Sequence, residues 1–327
     1  MGKKETKAQQ EGLPVFSWGH SRRINLASNH TRMNFGSRLQ KLTLDAGFTC
    51  PNRDGKVSVG GCSFCNNNAF NPSYCRDQES ISLQLERGIR FHRKRYRKAS
   101  LFLAYFQAYS NTYAPVDVLR KKYMEALAYP DVMGLVIGTR PDCVDEDIFD
   151  LLAEIKENYY LMVEFGIESV YNQSLEKINR GHSFEKSVWA VHEAARRGIQ
   201  TGGHLIFGLP GESRSMMLDS AEIISKLPLN TVKFHQLQIV KGTRMAQDFE
   251  ENPEAFTLFT LDEYVDFICE YLGRLRPTLV IERLAGEANP DYNLTNRWNL
   301  RYDKVLSLIE KRLEETDSWQ GKFFINT

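Results

Sequence analysis

Two kinds of segment alternate along the chain. Short runs of aliphatic, β-branched and aromatic residues occupy 41–46, 101–106, 134–138, 160–167, 202–207 and 231–240. Longer stretches with apolar residues three or four apart occupy 78–98, 116–128, 146–158, 184–197 and 213–227. The first kind predicts strands and the second amphipathic helices. A β-then-α order repeated six times with short connections predicts a parallel sheet with helices packed outside it. The runs are largely apolar on both faces, as a covered sheet requires. Beyond the sixth unit, 256–276 predicts a helix, 278–286 a strand carrying Glu282 and Arg283, and 298–315 a further helix.

Six units fit an open doubly wound sheet or a barrel lacking two units, and both put chemistry at the carboxyl ends of the strands. Charges inside the predicted strands interrupt the apolar pattern. Glu164, Lys233 and His235 are costly there unless paired or functional, which makes them candidates for a polar barrel interior. A structural Glu–Lys pair is the plainer explanation of the first two. A role in binding a substrate carboxylate or phosphate, or in relaying a proton, falls to Lys233 and His235.

Composition excludes several classes. The 327 residues carry 42 basic and 41 acidic side chains, a net charge of +1, which excludes a protein that holds nucleic acid by bulk field. No apolar run is long enough to predict a membrane span, and residues 1–20 read as a polar, flexible leader without a secretory signal. A cytoplasmic location is expected, where cysteines more often bind metal or react than pair.

Three of the six cysteines, Cys50, Cys62 and Cys65, fall in one window flanked by Gly, Asn, Asp and Pro, just after the first predicted strand. Thiols on a loop are how proteins surround a soft metal centre. The spacing leaves three readings open. Cys75 or a nearby histidine such as His92 would complete a tetrahedral zinc site. Cys62 and Cys65 would form a redox pair in a thioredoxin-like setting. Three thiolates would otherwise hold a [4Fe–4S] cluster with one iron free.

Longer motifs separate these readings. The cysteine loop opens from Leu-Asp-Ala-Gly-Phe-Thr-Cys-Pro-Asn-Arg-Asp-Gly, which holds Cys50, and further on come Tyr-Phe-Gln-Ala-Tyr-Ser-Asn-Thr, Gly-Thr-Arg-Pro-Asp-Cys, Ile-Asn-Arg-Gly-His and Gly-Leu-Pro-Gly-Glu. Together they resemble the radical S-adenosylmethionine (SAM) enzymes, and within them the elongator-3-like YhcC/YtqA group, from about residue 42 to 281 with a matching tail from Gln320. The resemblance implies a partial (β/α)6 barrel over 21–245, with the cluster loop at 47–75. It implies a C-terminal α/β extension, 246–327, that closes the barrel or caps the substrate side.

The resemblance further implies that Cys50, Cys62 and Cys65 ligate a [4Fe–4S] cluster whose open iron takes the amino and carboxylate groups of SAM. Backbone at Gln107 and Ala108 would meet the methionyl amino group, Glu168 the ribose, and Arg180 the carboxylate. His204 and Gly208 would lie near ribose and adenine. One electron, from a donor such as flavodoxin or ferredoxin, would split SAM to a 5′-deoxyadenosyl radical. Three departures stand out: a C-x11-C-x2-C spacing in place of the commoner C-x3-C-x2-C, Glu at 168 in place of Gln, and no Gly-Gly-Glu on the second strand.

The segment from Arg87 to Lys98 is strongly basic with interleaved aromatics, which suits RNA phosphates and unstacked bases, or else an ordinary solvated helix. By resemblance the substrate is a wobble uridine of tRNA. A zinc-stabilised RNA-binding module without redox catalysis is the competing reading.

Overall fold

The computed structural model describes residues 14–37, 39–72, 74–75, 79–95, 101–295 and 298–325. Seven strands form one sheet: β1 (Leu39–Leu44), β2 (Leu101–Phe106), β3 (Val132–Thr139), β4 (Tyr160–Glu168), β5 (Gln200–Phe207), β6 (Thr231–Gln236) and β7 (Val280–Arg283). Every neighbouring pair is parallel and the spatial order is the chain order. Each crossover therefore steps to the adjacent strand in one direction, and the right-handed twist curls the sheet.

The described helices are α1 (Ala27–Phe35), α2 (Ile81–Arg95), α3 (Val116–Leu127), α4 (Glu146–Lys156), α5 (Asn172–Lys177), α6 (Phe184–Arg196), α7 (Arg214–Lys226), α8 (Arg244–Glu251), α9 (Leu261–Arg274) and α10 (Tyr302–Glu315). One apolar core lies between the sheet and its helices, built from such side chains as Phe106, Tyr123, Phe149, Phe165, Phe234 and Phe267. Full burial of each contributes about 1.5–3 kcal/mol relative to exposure. The concave face carries a smaller apolar cluster of Leu103, Tyr105, Val136 and Met162. The sheet is thus a half-barrel, open between β1 and β7.

Ion pairs prove the curl. Lys41 on β1 meets Glu282 on β7 at 2.5 Å and Glu164 on β4 at 2.6 Å. Side chains three and six strands apart can touch only if the sheet wraps around them.

All six expected strands are present. The sixth ends at Gln236, short of 240, because the chain turns away; Val240 makes only an isolated bridge to Asn293. The C-terminal extension adds β7 to the same sheet, and the expected boundary at 245/246 falls inside α8. Three helices carried no readable period. α1 buries none of its residues, α5 is only six residues long, and α8 begins where Thr243 accepts a hydrogen bond from the Ala246 amide. Residues 1–13 of the expected leader lie outside the described residues. Of the remainder, Phe16 stacks on Trp18 and tilts against Trp319.

The two ends of the described chain are stitched together beside β7. The Ile281 amide donates to the Asn25 carbonyl at 2.7 Å, and the Asn25 amide donates to Gln320 Oε1 at 3.0 Å. The buried Gln320 amide group donates in turn to the carbonyls of Arg276 and Leu279. Among the described residues no helix is long and apolar enough to cross a membrane.

Candidate active site

The concave face encloses a cavity of about 730 Å³. Side chains reach it from alternate positions of the strands, as the period of two demands. Glu164 lies at its centre, 1% exposed. Its carboxylate accepts from Lys41 at 2.6 Å, Lys233 at 2.5 Å and His204 Nε2 at 3.0 Å. Lys233 also lies 3.4 Å from Glu282 and 3.4 Å from the Tyr105 hydroxyl. Burial alone would raise the Glu164 carboxyl, but the Lys233 and Lys41 ammoniums hold it well below the usual range. Gly202 on β5 makes room: a Cβ there would fall 2.7 Å from Thr231 Oγ1 and 3.1 Å from Glu164 Cγ.

Toward the carboxyl ends of the strands the cavity wall carries Cys50, Cys62 and Cys65, all unpaired. Burial, then the Cys62 sulfur, pushes the Cys65 thiol up to about 12. Cationic and polar donors gather on Cys62. Arg180 Nη1 lies 3.4 Å from its sulfur, Asn52 Nδ2 3.5 Å and Arg140 Nη1 3.9 Å. Arg140 is held by Asp142, and Arg180 by the Gly166 carbonyl at 2.6 Å with Glu168 at 3.4 Å. A Cβ on Gly166 would fall 2.6 Å from Arg180 Nη2, so only glycine lets the guanidinium settle there. Glu168 itself has φ +64°, at the β4–β5 register shift that swings it toward Arg180.

The donor set suits a soft polynuclear group. The three thiols share the cavity wall with Arg180, whose buried Nε has no partner, and Asn52, beside Cys62, has a buried Oδ1 without one. Among the described residues no three His, Cys, Asp or Glu side chains converge as one ion would require. Cys75 is buried, with its sulfur 3.5 Å from Gln84 Oε1, and does not line the cavity.

The structure brings most of the sequence-predicted residues to this one cavity: Cys50, Cys62, Cys65, Gln107, Glu168, Arg180, His204, Lys233 and His235. Ala108 and Gly208 are buried outside its lining, and the Gly208 amide is spent on the Met217 sulfur at 3.0 Å. Lys41, Asn52, Tyr105 and Arg140 also belong to the site but were not singled out from the sequence. Asn52, Tyr105 and Arg140 stand inside the motifs quoted above, and Lys41 is a lone cation in an apolar strand whose partner lies 123 residues away.

This constellation and the half-barrel around it define a class. The radical SAM superfamily model matches residues 50–224 and the radical SAM C-terminal domain model residues 229–315. The chain belongs to the radical SAM superfamily, and the zinc-stabilised module without catalysis is set aside by that membership.

Within the superfamily the chain is similar to YtqA of Bacillus subtilis, 38% identical over 305 residues, which is 93% of each chain. A 116-residue stretch, 35% of this chain and 21% of the other, is 29% identical to a tRNA uridine(34) acetyltransferase of Methanocaldococcus infernus. In three dimensions the fold matches the solved Elp3 of the same archaeon with a TM-score of 0.61 at 14% identity, over 87% of this chain and 64% of that one.

Proposed function

We propose that Cys50, Cys62 and Cys65 hold a [4Fe–4S] cluster, and that the protein reductively cleaves SAM to activate a C–H bond of its substrate. The observation that carries this reading is three unpaired cysteines and a buried, partly unsatisfied Arg180 on one wall of the same cavity. Bound there, the cluster would supply one-electron reduction of the SAM sulfonium. The chain's own part is to bind, orient and shield. Arg180 offers its fork to the SAM carboxylate. Glu168 faces the same space for the ribose hydroxyls, with backbone near Gln107 for the amino group. The polar interior around Glu164 holds the curled strands at a fixed spacing and keeps the cavity wall rigid. In that arrangement Lys233 acts as a positioning residue, because its ammonium is committed to Glu164 and Glu282.

The substrate we infer is a 5-substituted wobble uridine of tRNA, with the protein in the cytoplasm and a flavodoxin or ferredoxin as reductant. Likeness to a tRNA uridine(34) acetyltransferase over 116 residues supports the first part. The α2 helix supports it less than its composition promised. Arg87, Arg90 and Arg93 are paired with Glu79, Glu86 and Asp131, and Tyr96, Arg97 and Lys98 lie outside the described residues. Exposed pairs of this kind are worth about 0–1 kcal/mol and exchange readily for phosphate contacts.

Anaerobic reconstitution with iron and sulfide is the test. The wild type is expected to take up about four irons per chain, to show a cluster signal on reduction and to form 5′-deoxyadenosine. Cys50→Ala is expected to lose both signals, whereas Cys269→Ala keeps them. A colourless protein that leaves SAM intact overturns the cluster reading. Unchanged modified uridines in a strain lacking the protein overturn the tRNA reading alone.

A further inference from the structure

Not every cation inside the half-barrel has an ion-pair partner. Lys41 and Lys233 are matched by Glu164 and Glu282, two cations against two carboxylates. Arg283, the next residue on β7, is left over. It lines the cavity beside Lys233, its register partner, and among the described residues no carboxylate lies within ion-pairing distance of it. Its guanidinium rests over the Tyr302 ring at 5.5 Å. Glu287 lines the same cavity, but it accepts from the Tyr302 amide at 2.7 Å.

Two further groups share that wall. His235 lies two residues along β6 from Lys233 and on the same face, with no hydrogen bond among the described residues. Burial first, then His204, Arg283 and Lys233, push its imidazole well below the usual range, so it is neutral and offers one ring N–H. Gln238 uses its Oε1 to accept from the Ala288 amide at 3.0 Å, which fixes the side chain and turns its NH2 to the other side. A Cβ on Gly286 would fall 2.9 Å from His235 Nδ1 and 3.2 Å from Gln238 Oε1, so the glycine lets both side chains pack against the β7 exit. A half-buried cation that lines a cavity without an ion-pair partner is one whose charge a ligand can match.

We propose that Arg283, His235 and Gln238 form an oxyanion subsite that takes a carboxylate or phosphate of the substrate, within the cavity that carries the three cysteines. The proposal rests on the SAM-cleaving reading for what the rest of the cavity holds. It assigns the substrate a negative group and places that group at the β6–β7 wall. The planar guanidinium fork suits two oxygens of one anion, with the histidine and glutamine N–H groups completing the set.

The test is calorimetric titration of the reconstituted holoenzyme, saturated with SAM, with inorganic phosphate and separately with acetate. Saturable binding of one anion per chain is expected, weakened at least roughly tenfold in Arg283→Gln, as loss of a charge-assisted pair implies. Preference for phosphate identifies a nucleic-acid backbone as the source, and preference for acetate a substrate carboxylate. If Arg283→Gln does not fold, His235→Gln serves as the comparison, with the same direction of effect. Absence of saturable binding to the wild type, or unchanged affinity in the folded variant, overturns the proposal. 5′-Deoxyadenosine formation is measured on the same preparation. Its presence without anion binding removes only the subsite, and its absence removes the SAM reading whatever the titration shows.

Discussion

At the residue scale, Glu164 decides most. Its two oxygens serve Lys41, Lys233 and His204, side chains from three other strands. Replacing it by glutamine leaves two buried ammoniums facing a single remaining carboxylate. Glu164→Gln is expected to lower unfolding free energy by about 3–5 kcal/mol, read from urea denaturation at neutral pH. The pH dependence has a definite sign. Because the folded carboxyl is held below its unfolded value, its contribution is full above the ordinary carboxylate range and lost as pH falls through the depressed folded value. The gap between wild type and Glu164→Gln should therefore persist at about pH 5, begin to narrow at about pH 4 and close only as pH falls through the depressed folded value. A gap already closed at pH 5 would contradict the pairing.

At the element scale, the parallel sheet tolerates close approach only where side chains permit it. A Cβ on Gly134 of β3 would lie 2.1 Å from the Tyr160 carbonyl of β4. Backbone cannot move aside as a flexible side chain can, so Gly134→Ala is expected to cost about 1–3 kcal/mol or more, seen as a lower thermal midpoint. The strands were legible because their runs are long, apolar and bounded by turn residues. The 101–106 run matches β2 end for end, whereas β6 stops early because nothing in Leu237–Val240 distinguishes a strand from a buried loop. Helices α1 and α8 escaped notice because they carry too few buried positions to set up a period. The cysteine wall was legible from motif alone. The Glu164 quartet was half legible, since Glu164 and Lys233 stand out as charges in apolar strands and read as a pair, whereas Lys41, 123 residues before Glu164, does not announce its partner.

At the scale of the whole molecule, the half-barrel has two free edges, and the chain deals with the β7 edge by lacing residues 23–26 and 318–320 along it. Gln320 is the knot. Gln320→Ala removes the acceptor of the Asn25 amide and the donor to Arg276 and Leu279 at once. Loss of roughly 1–3 kcal/mol is expected, with faster amide exchange at Asn25 and Ile281 than at the β3–β4 centre. Equal exchange at both places would show that the lacing adds nothing.

That knot also sets a schedule. A nascent chain can assemble β1 to β6 and present its thiols while synthesis continues, yet the wall bearing Glu282 and Arg283 stays unfastened until Gln320 has left the ribosome. The chamber is thereby finished only once Gln320 is in place, after the cysteine loop is already built.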